Sequence, residues 1–192
     1  KADTGAAEVD GCNTYTQRMA AQRRLGVLPD KRGLYPRLSA RENIRYYGRL
    51  HGMGGPGLER RISELVNLLD MADFADRRSE GFSTGQKIKV AIARALVHQP
   101  PNLMLDEPTT GLDVMSTRAM RQVIRDLRDA GHTVLFSSHV MQEVAALCKH
   151  IVVLANGRVV AHGSPEELRQ STGQENLEDA FVAAIGTTEG LK

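Results

Sequence analysis

Two acids end one short apolar run. Leu103, Met104 and Leu105 lead directly into Asp106 and Glu107, and a third acid, Asp113, follows after a proline, two threonines, a glycine and a leucine. Adjacent carboxylates repel, and burying either one unpaired costs on the order of several kcal/mol. A divalent cation removes that penalty. One acid can then hold the metal on a phosphate while its neighbour polarises an attacking water. An Asp-Glu pair alone reads more simply as an acidic cap at a helix N-terminus. The whole stretch from Leu103 to Asp113 favours the metal-and-water chemistry.

Two other groups have the chemistry to serve such a site. In "FSTGQKIKVAIARAL", Ser83 and Gln86 have the spacing of a capping box, which by itself accounts for both. With Gly85 between them, the same residues also make an anion site at the mouth of a buried helix, where free N–H groups and the helix dipole favour a phosphate. In "LFSSHV" a strand end delivers His139 to the edge that carries Asp106, as a donor to a phosphate or to the attacking water. The ordinary alternatives are a surface or helix-capping histidine, with Ser137 or Ser138 as an N-cap. "GMGGPG" formally contains GxGxxG, but no strand precedes it and a proline interrupts it, so it reads as a loop.

These residues need elements to position them. "RLGVLP" reads as a short buried strand running into the loop that holds Asp30. "SARE" is a capping box opening a helix that stops at Gly52, and after the glycine-rich loop Leu58, Ile62, Leu65, Val66 and Leu69 share one helical face. From Ser83 the pattern alternates. A helix apolar on most sides precedes the strand "NLMLDE". A helix with Met120, Val123, Ile124 and Leu127 on one stripe follows, then the strand "TVLFSS" and a helix aligning Val140, Val144 and Leu147. "IVVL" and "RVVAH" flank the hairpin signal Ala155-Asn156-Gly157, and "SPEE" opens another helix with Pro165 at its first position. Past Ser171 the pattern is polar and loose. Alternating strands and helices predict an α/β core with a mainly parallel sheet and an inserted α-helical lobe.

Composition narrows the class. The 192 residues suit one substantial domain, with or without an inserted lobe. A net charge of +2 with scattered basic pairs argues against a nucleic-acid-binding face. Cys12 and Cys148 lack CxxC spacing and read as reduced thiols of a cytosolic protein. No run approaches the roughly 18 apolar residues of a membrane span, and the N-terminus has no signal-peptide core. It begins without Met and in mid-pattern, so a truncated start is expected.

Taken in order, the Pro29-Asp30 loop, "FSTGQ", "LMLDEPTTGLD" and "SSH" resemble the ATP-binding subunits of ABC transporters across roughly residues 10 to 170. "GVLPDKRGLYPRLSARENIRYYGRLHGM" looks most like the sodium-extrusion type of bacterial ATPase subunit. The resemblance implies a P-loop NTPase-like ABC ATPase core acting on ATP and Mg²⁺. It implies a single ABC ATPase domain over 1–192, with a core segment and Q-loop region at 1–38, a helical subdomain at 39–82, core with the main motifs at 83–165, and a tail at 166–192. By position, Asp106 would be the acid on Mg²⁺ and Glu107 the catalytic base. Asp113 would be the D-loop acid communicating across a dimer, and His139 the residue that senses the γ-phosphate. Ser83, Gly85 and Gln86 would be the signature that contacts ATP held by the opposite subunit. Asp30 would occupy the Q-loop, as a direct or water-mediated Mg²⁺ ligand. The partners implied are a membrane-spanning permease subunit and a second ATPase subunit, with no nucleic acid. The place implied is cytoplasmic, peripheral on the inner face of the cell membrane.

The chain departs from the family pattern at four points. Thr84 replaces a signature glycine, Ile88 stands where a polar residue is common, and Asp30 replaces the usual Gln. No glycine is followed by lysine, so GxxxxGK[ST] is absent from these residues and is expected upstream of Lys1, with the aromatic residue that stacks on adenine. The chain alone is therefore expected to be inactive. The rival readings are a soluble ABC-type ATPase of translation or DNA repair, and a non-hydrolysing regulatory half.

Overall fold

Small and apolar residues at period two put Gly26 and Leu28 on one side of a strand, and Leu103 and Leu105 on the same side of another. The computed structural model, which describes residues 2–30 and 33–186, pairs those strands in parallel. In chain order its first unit, up to Ser137, contains β1 (Glu8–Val9), β2 (Cys12–Asn13), α1 (Arg18–Arg23), β3 (Leu25–Leu28), α2 (Ala40–Leu50), α3 (Gly55–Leu68), α4 (Thr84–Leu96), β4 (Asn102–Leu105), α5 (Val114–Asp129) and β5 (Thr133–Phe136). The second unit, from Ser138, contains α6 (Met141–Leu147), β6 (Ile151–Ala155), β7 (Arg158–Gly163), α7 (Pro165–Thr172) and α8 (Leu177–Ile185).

In the first unit the sheet runs β3-β4-β5, all parallel, with Leu28 opposite Leu105 and Leu105 opposite Phe136. The helix α4 lies on β3 and packs against α2 and α3, and it is buried continuously from Val90 to Leu96, as its all-round apolar composition predicts. Ile88, where a polar residue was the family expectation, is fully buried in that packing. The strand at "RLGVLP" is buried on one face only. Val27, Met104 and Leu135 form one cross-strand row on the other face and are 46%, 41% and 60% exposed.

The helices α2 and α3 leave the sheet after β3 and return at α4. Their base is closed by a bridge between Ser39 and Arg78 and by the Ser79 N–H donating to the Leu38 carbonyl at 2.9 Å. The capping box Ser39–Glu42 is formed, and Leu58, Ile62, Leu65, Val66 and Leu69 are all buried. One boundary differs: α3 begins at Gly55, inside the stretch that reads as a loop, because Pro56 at its first turn supplies a preset helical φ.

Behind α4 two histidines stack face to face. The His51 and His98 rings are 3.6 Å apart and within 3° of parallel. Burial, and then the neighbouring His51, hold the His98 pKa down at about 4. The unfolded chain therefore binds this proton more readily than the native one between pH 6.5 and 4. Stability that is complete above 6.5 is lost as the pH falls through that window. Urea midpoints of the native protein are expected to drop between pH 6.5 and 5. His98→Phe, which keeps the stack without the proton, should flatten that slope, and an equal slope in both would refute the assignment.

In the second unit β6 and β7 form the expected hairpin, with Asn156 and Gly157 at φ 50° and 72°, the left-handed pair a tight two-residue turn requires. The capping box at Ser164 is formed. Two expectations are corrected. Val140 is the N-cap of α6 rather than part of its buried stripe. The polar tail contains α8, capped by Asn176, and Leu177 joins Val144, Val153 and Leu168 in a small core against which Phe181 packs. Among the described residues no helix is long and apolar enough to cross a membrane.

Candidate functional site

Parallel pairing in register brings three chain exits to one edge of the sheet. The ladder continues one residue beyond the strands: the Asp106 N–H donates to the Leu28 carbonyl at 2.8 Å, and the Ser137 N–H to the Leu105 carbonyl at 3.0 Å. Pro29-Asp30, Asp106-Glu107 and Ser137 therefore leave the sheet together at its carboxyl edge, where open α/β sheets bind ligands.

One hydroxyl ties the two acids together. Ser137 Oγ donates to Asp106 Oδ1 at 2.6 Å and accepts the Glu107 N–H at 3.0 Å. Glu107 itself has φ 46°, a left-handed backbone costing a non-glycine residue roughly 1–2 kcal/mol. Its carboxylate Oε2 accepts the Thr110 hydroxyl at 2.9 Å, and its carbonyl accepts the Thr110 N–H at 3.3 Å. The acids are not buried, contrary to the penalty that their juxtaposition suggests. Asp106 is exposed and Glu107 half-buried, because the chain turns to the surface at Glu107, while Pro108 and Thr109 behind it are buried.

Among the described residues no three His, Cys, Asp or Glu side chains gather into a metal cage. An exposed carboxylate with one oxygen engaged by a hydroxyl suits Mg²⁺, which takes one or two carboxylates and completes its shell with phosphate oxygens and water.

The helix α4 opens on the capping box the sequence predicts. Ser83 Oγ accepts the Gln86 N–H at 3.2 Å, and Gln86 Oε1 accepts the Ser83 N–H at 3.1 Å. Asp113 caps α5 in turn, accepting the Ser116 N–H at 2.9 Å and the Ser116 hydroxyl at 2.7 Å. Those bonds hold its carboxyl below the usual aspartate value. The two caps adjoin. A Cβ added to Gly85 would stand 3.6 Å from Ser116 Oγ and 3.7 Å from Leu112 Cδ2, and one added to Gly111 would stand 3.7 Å from Thr84 Cγ2. Thr84, the departure from a second glycine, thus rests its methyl beside Gly111 without crowding.

Asp30 opens a separate cleft of about 530 Å³, lined also by Gly33, Leu34, Pro36, Ser79, Glu80 and Lys87. Three residues that sequence reasoning did not single out hold this loop. Buried Asn43 donates to the carbonyls of Tyr35, Leu38 and Ser39 and accepts the Tyr35 N–H. The Ser79 hydroxyl donates to the Tyr35 carbonyl at 2.8 Å. Arg94, buried on α4, donates to the Gly33 carbonyl at 2.9 Å with its guanidinium 4.0 Å from the centre of the Tyr47 ring. The available signal was a polar residue inside an apolar stripe: Asn43 beside Ile44, and Arg94 between alanines.

His139 belongs to the second unit, just ahead of α6. There Ser138 Oγ accepts the Val140 N–H at 3.1 Å, so Ser138 takes the local turn-closing role while Ser137 faces the acids.

The chain is similar to known proteins in both sequence and fold. The sequence pattern of the family described as ABC transporter matches residues 1–110. The ABC transporter ATP-binding protein NatA of Bacillus subtilis is 42% identical over 182 residues, covering 94% of this chain and 74% of that protein. The linearmycin resistance ATP-binding protein LnrL of Bacillus subtilis is 31% identical, covering 95% of this chain and 59% of that protein. A solved ATP-binding subunit of an ABC transporter superimposes with a TM-score of 0.83 at 27% identity, over 95% of this chain and 77% of that one. With a parallel α/β sheet, paired acids at its carboxyl edge and these relatives, the chain belongs to the ABC transporter family, as an ATP-binding subunit of ATP-driven transport.

Proposed function

We propose that Asp106 holds Mg²⁺ on the phosphates of ATP, that Glu107 is the general base, and that hydrolysis drives a solute across a bacterial membrane. The observation that carries this reading is the Asp106-Glu107 pair at the carboxyl edge of the sheet, fixed side by side through Ser137. The cation supplies charge neutralisation of the phosphate oxygens. Asp106 orients it, and Glu107 accepts a proton from the attacking water. His139 would donate to the γ-phosphate, and Asp30 would reach the metal directly or through water. Ser83, Gly85 and Gln86 present the positive end of α4 to ATP on a second ATPase subunit, with Asp113 relaying across the same junction. In this reading both compact units serve one ATPase domain, segments 39–82 form its helical subdomain, and a membrane-spanning permease anchors it to the cytoplasmic face. The resistance function in the name of LnrL favours a permease partner over a role in translation or DNA repair.

The β- and γ-phosphate cradle belongs to GxxxxGK[ST], which these 192 residues do not contain. ATP hydrolysis by this chain alone would contradict that.

Ser83 separates the capping role from phosphate binding. Asn caps a helix about as well as Ser, and Ala costs about 1 kcal/mol. In the intact transporter Ser83→Asn should keep thermal stability near native yet lower ATP turnover at least tenfold, measured by phosphate release. Native turnover in Ser83→Asn would leave Ser83 as a cap and nothing more.

A further inference from the structure

We propose that Ser137 is the positioning residue that sets both carboxylates for Mg·ATP. The inference rests on the proposed roles of Asp106 and Glu107 and adds to them the group that aligns them.

A serine at the end of a strand needs no partner but water. This one makes two bonds of opposite sense with its single hydroxyl, giving its hydrogen to Asp106 Oδ1 at 2.6 Å and taking the Glu107 N–H at 3.0 Å. The first is short among O–H···O bonds and has the length usual for a hydroxyl on an ionised carboxylate, the strong class of hydrogen bond. It occupies one Asp106 oxygen and restrains the rotation of the carboxylate, so the second oxygen is presented in one direction. The other bond anchors the left-handed backbone of Glu107, a conformation that persists only when its surroundings hold it. Both bonds reach across from the residue that follows β5, whose N–H continues the ladder to the Leu105 carbonyl. The hydroxyl is therefore mounted on the sheet ladder rather than on the turn that carries Glu107. Thr110 restrains the Glu107 carboxylate from the other side, through Oε2. With Ser137 removed, Asp106 loses the bond that restrains its rotation and the Glu107 N–H loses this acceptor, while the strands stay paired.

Ser137→Val and Ser137→Thr are the same size and suit a strand, and only Thr keeps the hydroxyl. ATP affinity of the intact subunit is measured by titration with Mg²⁺ and again with chelator, Mn²⁺ binding in the presence of ATP by its spin resonance, and turnover by phosphate release. In Ser137→Val the affinity gained on adding Mg²⁺ should shrink roughly ten- to hundred-fold. Affinity in chelator should be unchanged, Mn²⁺ binding weaker and turnover lower, while Ser137→Thr restores all of them. A merely structural serine would lower affinity equally with and without metal. Equal metal-dependent affinity and turnover in native, Ser137→Val and Ser137→Thr would overturn the inference. If Ser137→Val does not fold, Ser137→Ala is judged by the same readings. Asp106→Asn separates the two layers. Loss of the Mg²⁺ effect there with none in Ser137→Val sinks only the role of Ser137. An intact Mg²⁺ effect in Asp106→Asn sinks the role of Asp106 and the inference with it.

Discussion

Glu107→Gln is expected to lower ATP turnover of the intact transporter by roughly 10²- to 10⁴-fold, the range a positioned general base contributes. Nucleotide affinity should change little. The amide is the same size as the carboxylate, and its oxygen can accept the Thr110 hydroxyl as Oε2 does now. The backbone bond from the residue 107 N–H to Ser137 Oγ does not involve the side chain, so the left-handed turn is kept. Asp106 still receives the Ser137 hydroxyl, so the proposed metal carboxylate is untouched. What is lost is the carboxylate proposed to take a proton from the attacking water. Phosphate release and equilibrium binding of ATP, measured on the same preparation, separate the two effects. Turnover within threefold of native would remove Glu107 from the chemistry, and parallel loss of binding and turnover would make it a binding residue instead.

The acids were legible because their chemistry is local. A strand that ends in two carboxylates announces a sheet edge and a charge problem in six consecutive residues. Capping boxes were legible for the same reason: Ser39–Glu42, Ser83–Gln86 and Ser164–Glu167 are each closed within four residues, and each formed. Groups that act at long range were not. Ser137 reaches Asp106 across 31 residues of chain, and Arg94 reaches Gly33 across 61, so neither partnership leaves a spacing to find. The helix α8 is a different miss. Leu177, Ala180, Phe181 and Ile185 do share a helical face behind an Asn cap, but the polar residues around them dilute the period. The exposed row Val27, Met104 and Leu135 shows why apolar runs in a parallel sheet overstate burial: such strands suit cover on both faces, and the described residues cover one.

Gly26 carries the largest expected effect on stability, and it shows how the sheet and α4 are held together. A Cβ there would stand 2.3 Å from the Ala95 carbonyl oxygen, 2.8 Å from Leu103 Cδ2 and 2.9 Å from Pro100 Cγ. Leucine can rotate away. The Ala95 oxygen is backbone, in the last turn of α4, and moves only if the helix moves. Overpacking commonly costs 1–3 kcal/mol, so Gly26→Ala should cost about 3 kcal/mol and Gly26→Val more. That is a large fraction of the roughly 5–15 kcal/mol that holds a domain folded. Urea denaturation measures it, with Val27→Ala as the control: the next residue along the same strand, on the exposed face, should lose about 1 kcal/mol or less. The same contact links stability to function. If α4 lifts from β3 to admit the methyl, Ser83 and Gln86 at its other end shift with it, so ATP turnover of a folded Gly26→Ala protein should fall as well. Stability within about 0.5 kcal/mol of native would mean that α4 yields freely, and the close approach would then set neither the packing nor the position of Ser83 and Gln86.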